Sequence, residues 1–436
     1  MSEKRKIVLG INDKPKFNQW LLLSVQHLFA MFGATVLVPF LTGMSPAVAL
    51  VSSGLGTLAF ITITRGKAPS YLGSSFAFIN PIIAVKALEL DPTSSVGPGS
   101  FLVGSFMVGI LYGIVALIIM KAGTKWLMKL LPPVVVGPVI MVIGLGLAHT
   151  AVGMATNNTE GAYDLNYVWV ALVTLTITVI VSVFTRGFLS VIPILVGIIG
   201  GYLFALIMGI VDLHKILEAA WFEVPPFIIP FVDYTPSFSW KVFLIMVPVA
   251  IVPIAEHIGH QLVLSKVVEK DMIKDPGLDK SLLGDGAASI IASLIGGPPN
   301  TTYGENIGVL AITRAFSIYL FIGAAIFAIL FGFCGKIAAL LSSIPAPVMG
   351  GVSILLFGII ASSGLRMLVE NKVDFSQKRN LIIASVILVI GIGGAAIHVG
   401  KYFSLEGMAL ASIIGVVLNQ ILPGKQVIDF EEMFGE

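Results

Sequence analysis

The chain has 436 residues, of which 56% are hydrophobic and only 11% are charged. Soluble domains carry about a quarter charged residues, so a water-soluble domain of this size could not cover so much apolar surface. A net charge of +2 without a dense basic face argues against nucleic acid as a partner. The single cysteine, Cys334, excludes a disulfide framework and a cysteine-based metal site.

Apolar stretches of about twenty residues recur along the chain, each long enough to cross roughly 30 Å of hydrocarbon. They predict an all-α membrane protein with fourteen transmembrane segments. The charged start, Met1 to Lys16, has no apolar core followed by a cleavage site, and is interpreted as a cytoplasmic tail. The predicted segments are 17–43, 45–64, 70–88, 98–120, 127–148, 165–185, 188–210, 240–263, 280–296, 299–313, 315–340, 346–365, 381–399 and 406–422.

The positive charges support this count. With the tail inside, twenty-one of the 26 lysines and arginines fall on the cytoplasmic side. Such a bias is what the positive-inside rule predicts. Both termini are therefore expected in the cytoplasm, with the chain passing many times through the cell membrane.

The third and tenth segments, 70–88 and 299–313, are short, polar and interrupted by Gly, Pro, Ser or Asn. Extended backbone at membrane depth is tolerated only where it lines a cavity or is covered by protein. In the tenth segment a half-helix is expected to start at Glu305 or just after, with its positive end facing the break. The two segments together are predicted to frame one site near the midplane. The alternative is a pair of ordinary loops that dip inward.

An internal repeat relates these features. Gln26-His27 and Ser74-Ser75-Phe76 correspond to Glu256-His257 and Gly304-Glu305-Asn306, each 230 residues later. Each half then holds seven spans, and an odd number turns the second half upside down relative to the first. Inverted repeats with broken helices at corresponding positions are typical of secondary transporters.

The eighth segment concentrates ionisable groups that are costly inside a membrane. Glu256 and His260 are four residues apart and share a helix face. A carboxylate beside an imidazole can accept, hold and pass a proton. The alternative is a buried pair that only joins helices. A metal site of a membrane enzyme is disfavoured because His257 points about 100° away from the other two side chains.

The same residues indicate a class of ligand. Free backbone N–H groups bind carbonyl oxygens, and the carboxylates of Glu256 and Glu305 accept N–H donors. A planar ring that alternates C=O and N–H satisfies both, with Phe76 or Tyr303 stacked on it. Uracil and xanthine have such an edge, and an amino acid stays an alternative. An inorganic anion would require Arg or Lys, and none lies in the inner spans.

Two polar features allow more than one interpretation. Gln26-His27 either supports the site from the first span or forms a hydrogen bond between helices. Asp285, within Gly284-Asp285-Gly286, is either a cation- or proton-binding group or, as the preferred interpretation, a cap for a nearby helix.

The chain resembles the nucleobase–ascorbate transporter family, and specifically its bacterial uracil branch. The family signature is Gln, Glu or Pro followed by Asn-x-Gly-x-x-x-x-Thr-Arg. Residues 305–314 read Glu-Asn-Ile-Gly-Val-Leu-Ala-Ile-Thr-Arg, a full match. Gln26-His27, Ala255-Glu256-His257 and the stretches 74–78 and 301–305 also fit. Glu at the first signature position resembles the uracil branch, since the xanthine and urate branches typically carry Gln there.

This resemblance implies a fold of two inverted sevens, with short antiparallel strands in segments 3 and 10. A core domain would comprise residues 1–125 and 240–340, and a gate domain residues 126–212 and 341–422. Family members are often homodimers through the gate domains.

The resemblance also implies roles for single residues. Glu256 and Glu305 would bind ring N–H groups, and the backbone N–H groups of Phe76 and Gly304 would bind ring carbonyls. His260 would support Glu256, and protonation of that pair would couple transport to the proton gradient. The supporting residues would be Ser75, Tyr303, Phe357, His27 and Asn306.

The resulting expectation is uracil–proton symport by alternating access, with the proton as coupling ion and no cofactor. The uracil branch is expected to carry a gate-domain tyrosine near the site, whereas this chain has Phe357. That departure loosens the choice of uracil, and a xanthine, urate or other nucleobase carrier is the alternative. A channel or an anion exchanger on the same architecture is a rival from another class.

Overall fold

The computed structural model describes residues 7–94, 96–399 and 403–424. The first six residues of the predicted tail and everything after residue 424 lie outside this range. The fold is mostly helical, and its helices are α1 (Phe17–Thr42), α2 (Pro46–Ile63), α3 (Ile79–Leu90), α4 (Ser100–Ala122), α5 (Lys125–Leu130), α6 (Pro133–Gly146), α7 (Ala148–Thr156), α8 (Leu165–Phe184), α9 (Pro193–Ile207), α10 (His214–Glu218), α11 (Trp240–Met246), α12 (Ile251–Val268), α13 (Leu278–Leu294), α14 (Gly304–Thr313), α15 (Ile318–Gly332), α16 (Gly335–Ser342), α17 (Ala346–Glu370), α18 (Lys378–Ile392) and α19 (Gly407–Ile421).

Four short strands and four tight turns complete the described structure. The strands are β1 (Leu72–Ser74), β2 (Asn300–Thr302), β3 (Ala396–Val399) and β4 (Phe403–Glu406). The turns are the 3₁₀ turns Phe76–Phe78, Leu189–Val191 and Pro248–Ala250 and the π turn Ile273–Gly277.

Among the described residues, seven helical stretches are long and apolar enough to cross a membrane, and α15 with α16, bent by 81°, makes an eighth. Two shorter apolar helices, α9 and α19, add to these. The chain is therefore a multi-pass membrane protein. The count of fourteen segments stays a prediction, because the remaining segments are short, charged at one end, or broken.

Local sequence explains how neighbouring helices begin and end. Helix α1 ends at Gly43, whose φ of 64° lies in the left-handed region and whose N–H donates to the Pro39 carbonyl. Helix α2 begins directly afterwards. The Ser45 side chain accepts from the Val48 N–H, and Pro46 occupies the first helical position. These signals make a tight connection between the two helices.

Helix packing separates interior from peripheral elements. Helix α2 packs against α15, and α13 packs against α4. Helix α17 packs against α6, α7 and α8. The apolar stretch of α1 is 72% buried inside the protein, whereas that of α8 is only 28% buried. Helix α8 therefore lies at the periphery of the described structure, with most of its apolar side chains exposed.

Strands β1 and β2 form a two-stranded antiparallel ribbon in the protein interior, with Gly73 opposite Thr301. Pro298 and Pro299 precede β2 and have no N–H to continue a helix. The ring of Tyr303 lies so close to Gly73 that a Cβ there would approach it to 2.7 Å. Glycine at position 73 is therefore what allows the ribbon to pack over this tyrosine.

The outer edges of the ribbon are satisfied by side chains. Thr57 of α2 accepts from the Leu72 N–H at 3.0 Å and donates to the Leu72 carbonyl at 3.3 Å. Ser289 of α13 does the same for Asn300, at 3.2 Å from its N–H and 3.0 Å from its carbonyl. Unpaired backbone groups are costly away from water. These two hydroxyls therefore allow extended chain to persist in the protein interior.

Candidate functional site

Glu256 and His260 lie on one face of α12. Their side chains are 26% and 19% exposed, and Glu256 Oε1 lies 4.0 Å from His260 Nε2. Both side chains are thus only partly buried. The separation is longer than a hydrogen bond. A modest rotation of the carboxylate would bring the two groups into contact, and would permit proton exchange between them.

The start of α14 brings Gly304 and Glu305 close to Glu256 and His260. Tyr303 is extended and precedes the helix, and Glu305 lies in the first turn, where helix N–H groups have no partner within the helix. A Cβ at Gly304 would lie 3.0 Å from His260 Nε2. Glu256 and Glu305 are close enough for their charges to interact. Two carboxylates, an imidazole and a helix N-terminus therefore converge.

The two aromatic residues predicted for the site, Phe76 and Phe357, contact each other. Phe76 begins the 3₁₀ turn after β1 and is partly exposed. The turn Phe76–Phe78 contacts the turn Pro248–Ala250 that precedes α12. Phe357 of α17 is buried and meets Phe76 edge to face, with ring centroids 6.2 Å apart. Of these two rings, that of Phe76 is the more exposed.

Tyr303 does not lie where the sequence analysis suggested, stacked on a ligand ring. Its hydroxyl donates to the Ser74 carbonyl at 2.9 Å, and Thr35 lies 3.3 Å away. Its ring packs on Gly73, and only 3% of the residue is exposed. Tyr303 therefore packs against strand β1 and stabilises the ribbon. Ser75 is also buried, and its N–H donates to the Pro299 carbonyl at 2.9 Å.

His27 links helices α1 and α14. The Asn306 side-chain N–H donates to the His27 carbonyl at 3.0 Å, and the same nitrogen lies 3.2 Å from His27 Nδ1. The His27 ring also packs against Phe321 at 4.3 Å between centroids. Of the two interpretations of this histidine, the structure favours the hydrogen bond between helices. It fixes the half-helix that carries Gly304 and Glu305.

His257 points away from Glu256 and His260, as its helical position predicts. Its Nδ1 lies 2.9 Å from Asp285 Oδ2, and its Nε2 lies 2.8 Å from Ser281 Oγ. The preferred interpretation of Asp285 as a helix cap is wrong, because Asp285 lies in the middle of α13 and is 1% exposed. The two glycines that flank Asp285 were a sequence signal for close packing between helices. A Cβ at Gly286 would lie 2.8 Å from the Gly109 carbonyl of α4, so these glycines allow close helix approach.

Two cavities flank the site at opposite ends of α6. One, of about 250 Å³, is lined by Phe76 and Asn80 on one side and by Ile143, Gly146 and Met408 on the other. The second, of about 60 Å³, lies between Pro133 of α6, Ala255 and Gly259 of α12, and Met367 of α17. Sequence reasoning missed Met367, which has no polar or motif signal.

Within the described ranges, no three His, Cys, Asp or Glu side chains are grouped to hold a metal ion.

Comparison with known proteins adds to this geometry. Residues 18–400 match the model of the permease family. The chain is 64% identical over 420 residues to the uracil permease of Bacillus caldolyticus, covering 96% of both chains. It is 47% identical over 427 residues to the uracil permease of Escherichia coli K12, covering 98% of this chain and 96% of that one.

Solved structures share the fold at low sequence identity. The transmembrane domain of the cyanobacterial bicarbonate transporter BicA superposes with a TM-score of 0.62 at 15% identity, over 94% of this chain and 99% of that one. The murine Solute Carrier 26 family member A9 superposes with a TM-score of 0.65 at 11% identity, over 94% of this chain and 69% of that one. At this identity the likeness concerns the fold alone. The family match and the curated relatives establish that the chain belongs to the permease family of nucleobase–ascorbate transporters, and that it is a membrane transporter and not an enzyme.

Proposed function

We propose that this protein imports uracil together with protons across the cell membrane. The observation that carries the proposal is the convergence of Glu256, Glu305 and the N-terminus of α14. The curated relatives named uracil permeases support the choice of substrate.

Uracil fits this group of donors and acceptors. The carboxylates of Glu256 and Glu305 would accept the two ring N–H groups, and the backbone N–H groups of Gly304 and Phe76 would donate to the two ring carbonyls. The phenyl ring of Phe76 would stack on the base. The close approach of Gly304 to His260 holds the α14 amides near the carboxylate of Glu256.

Glu256 with His260 would couple substrate to the proton. A buried carboxylate is costly when it is charged and has no partner. A protonated Glu256 therefore lets the loaded carrier cross its closed state, and release of the proton on the cytoplasmic side completes the cycle. His260, within reach of the carboxylate, would accept that proton in transit.

The proposed architecture is fourteen segments in two inverted sevens. It is supported by the ribbon, in which β1 and β2 are related by a local twofold axis through the Gly73–Thr301 pair. Under that rotation Leu72 corresponds to Asn300. These are the two residues whose N–H and C=O groups are bonded by a hydroxyl from the preceding long helix, Thr57 or Ser289.

Transport would proceed by movement of a core domain, residues 1–125 and 240–340, against a gate domain, residues 126–212 and 341–422. The close packing of α2 on α15 and of α4 on α13 supports the first unit, and that of α17 on α6, α7 and α8 supports the second. Cavities at both ends of α6 flank the site between these groups. A small rotation would open one cavity and close the other.

The same proposal includes the location of the protein, the side on which its termini lie, and its oligomeric state. The protein would lie in the cell membrane with both termini in the cytoplasm, as the distribution of positive charges predicts. Its peripheral helices, such as α8, would contact lipid, and a homodimer would form through the gate domains.

The test is uptake of labelled uracil by purified protein in liposomes, with and without an inward proton gradient. We expect saturable accumulation that depends on the gradient. Uptake that is linear in uracil concentration would indicate a channel. Unlabelled xanthine and urate added in excess separate the alternative substrates, and we expect them to compete weakly. Stronger competition by xanthine than by uracil would overturn the choice of base.

A further inference from the structure

A second buried acid–base pair lies behind the site. Asp285 Oδ2 and His257 Nδ1 are 2.9 Å apart, and their side chains are 1% and 0% exposed. Ser281 Oγ contacts the other imidazole nitrogen at 2.8 Å. The proposed uracil site uses neither residue, and a buried carboxylate is retained only where it is paired or serves a purpose.

The pair has few polar neighbours. From α12 the titratable groups near it are Glu256 and His260, whose charges interact with Asp285 and His257 respectively. From α4 the titratable group is Tyr112, which is buried. Within the described part of the chain, Asp285 Oδ1 and the Tyr112 hydroxyl have no hydrogen-bond partner in the protein, and no Lys or Arg pairs with Asp285.

Thr302 connects this pair to the substrate site. Its hydroxyl oxygen lies 3.3 Å from His257 Nδ1 and 3.2 Å from His260 Nδ1. The residue ends strand β2, where pairing with Leu72 fixes its backbone, and it is 1% exposed. A hydroxyl both accepts and donates, so a continuous polar path runs from Asp285 through His257, Thr302 and His260 toward Glu256.

We infer that the His257–Asp285 pair is a second proton-binding site that exchanges a proton with Glu256 through Thr302 and His260. The inference rests on the proposed proton coupling at Glu256 and extends it. In the transfer, the Glu256 carboxyl releases its proton to His260 Nε2. His260 gives its Nδ1 proton to the Thr302 oxygen, and the Thr302 hydroxyl proton passes to His257 Nδ1. The proton that His257 Nδ1 held toward Asp285 moves at the same time to Asp285 Oδ2. One proton leaves Glu256 and one arrives at the pair, while Thr302 and His260 end with their original charge.

This transfer has a physical advantage. Interactions between charges are strong where the dielectric constant is low, so adding or removing net charge inside the protein is costly. Passing a proton between Glu256 and the pair leaves the total charge of the interior unchanged. The first step spans 4.0 Å and requires the partly exposed Glu256 side chain to rotate.

The test compares T302V, T302S and the control T301V in liposomes. Thr301 is the neighbouring residue of β2 and is 4% exposed, and its hydroxyl has no partner among the described residues. Two readings are taken: accumulation driven by a proton gradient, and exchange of labelled for unlabelled uracil at equal pH. Exchange needs no deprotonation of the loaded carrier. We expect T302V to exchange like wild type but to lose gradient-driven accumulation by about tenfold or more. T302S, T301V and wild type should accumulate alike.

A second variant, D285N, should show the same division between exchange and accumulation, because it removes the acceptor at the other end of the path. Full accumulation by both T302V and D285N would refute the relay. Equal loss of exchange and accumulation in T302V would assign Thr302 a structural role and would refute it too. A wild-type protein that exchanges uracil but accumulates none would refute the proposed symport, and the relay with it.

Discussion

Gly304→Ala tests the close contact between α14 and α12. Gly304 does not need a left-handed backbone, so the added methyl acts only through its neighbours. The new Cβ would lie 3.0 Å from His260 Nε2, where ordinary contacts are 3.4–4 Å. The imidazole or the start of α14 must therefore move by a few tenths of an ångström. His260 has little freedom, because its Nδ1 lies 3.2 Å from the buried Thr302 hydroxyl.

Overpacking of this kind costs about 1–3 kcal/mol. If that strain falls on the bound state, the Kd for uracil rises about tenfold for each 1.4 kcal/mol. Gly308→Ala is the matched control, since Gly308 lies one turn further along α14 and a Cβ there has nothing within 4 Å. Calorimetric titration of uracil into each purified variant measures the change, with thermal unfolding as a check on folding. Binding by G304A as tight as that of G308A would refute the contact.

Three further variants separate effects on uracil binding from effects on proton-coupled uptake. E256Q should abolish gradient-driven uptake because an amide cannot release a proton; full accumulation by this variant in liposomes would exclude Glu256 from coupling. E305Q should weaken uracil binding about tenfold or more, since hydrogen bonds to charged groups contribute about 1.5–3 kcal/mol; an unchanged Kd by calorimetry would remove Glu305 from the site. H260A should slow gradient-driven transport while the Kd changes by less than about threefold, because His260 acts on Glu256 and not on the ring; transport at the wild-type rate would contradict its supporting role.

The sequence predicted the family and the membrane class because both depend on patterns along the chain. Residues 305–314 carry the full signature, and apolar runs need no tertiary information. The direction of His257 was also predictable, since the 3.6-residue period of a helix turns it about 100° from Glu256. Its contact with Asp285 confirms that direction.

The role of Asp285 could not be predicted in this way. An aspartate between two glycines is typical of a cap or a turn, and the sequence does not show which helix lies opposite. The structure places α4 against Gly286 and α12 against Asp285, so the glycines serve helix packing and the carboxylate faces His257. Thr302 was missed for the same reason. Its importance comes from two histidines on another helix, and no local pattern marks it.

The ribbon explains how the proposed uracil binding and the proposed proton transfer would share so small a region. A continuous helix would use its own backbone N–H groups internally and would leave none for a ligand. Breaking two helices frees those groups, and the pairing of β1 with β2, together with Thr57 and Ser289, satisfies the remainder. The same pairing holds Thr302 between the two histidines. A change that loosens the ribbon, such as a side chain at Gly73 against the ring of Tyr303, should therefore weaken uracil binding and proton coupling together, whereas Thr302→Val should separate them.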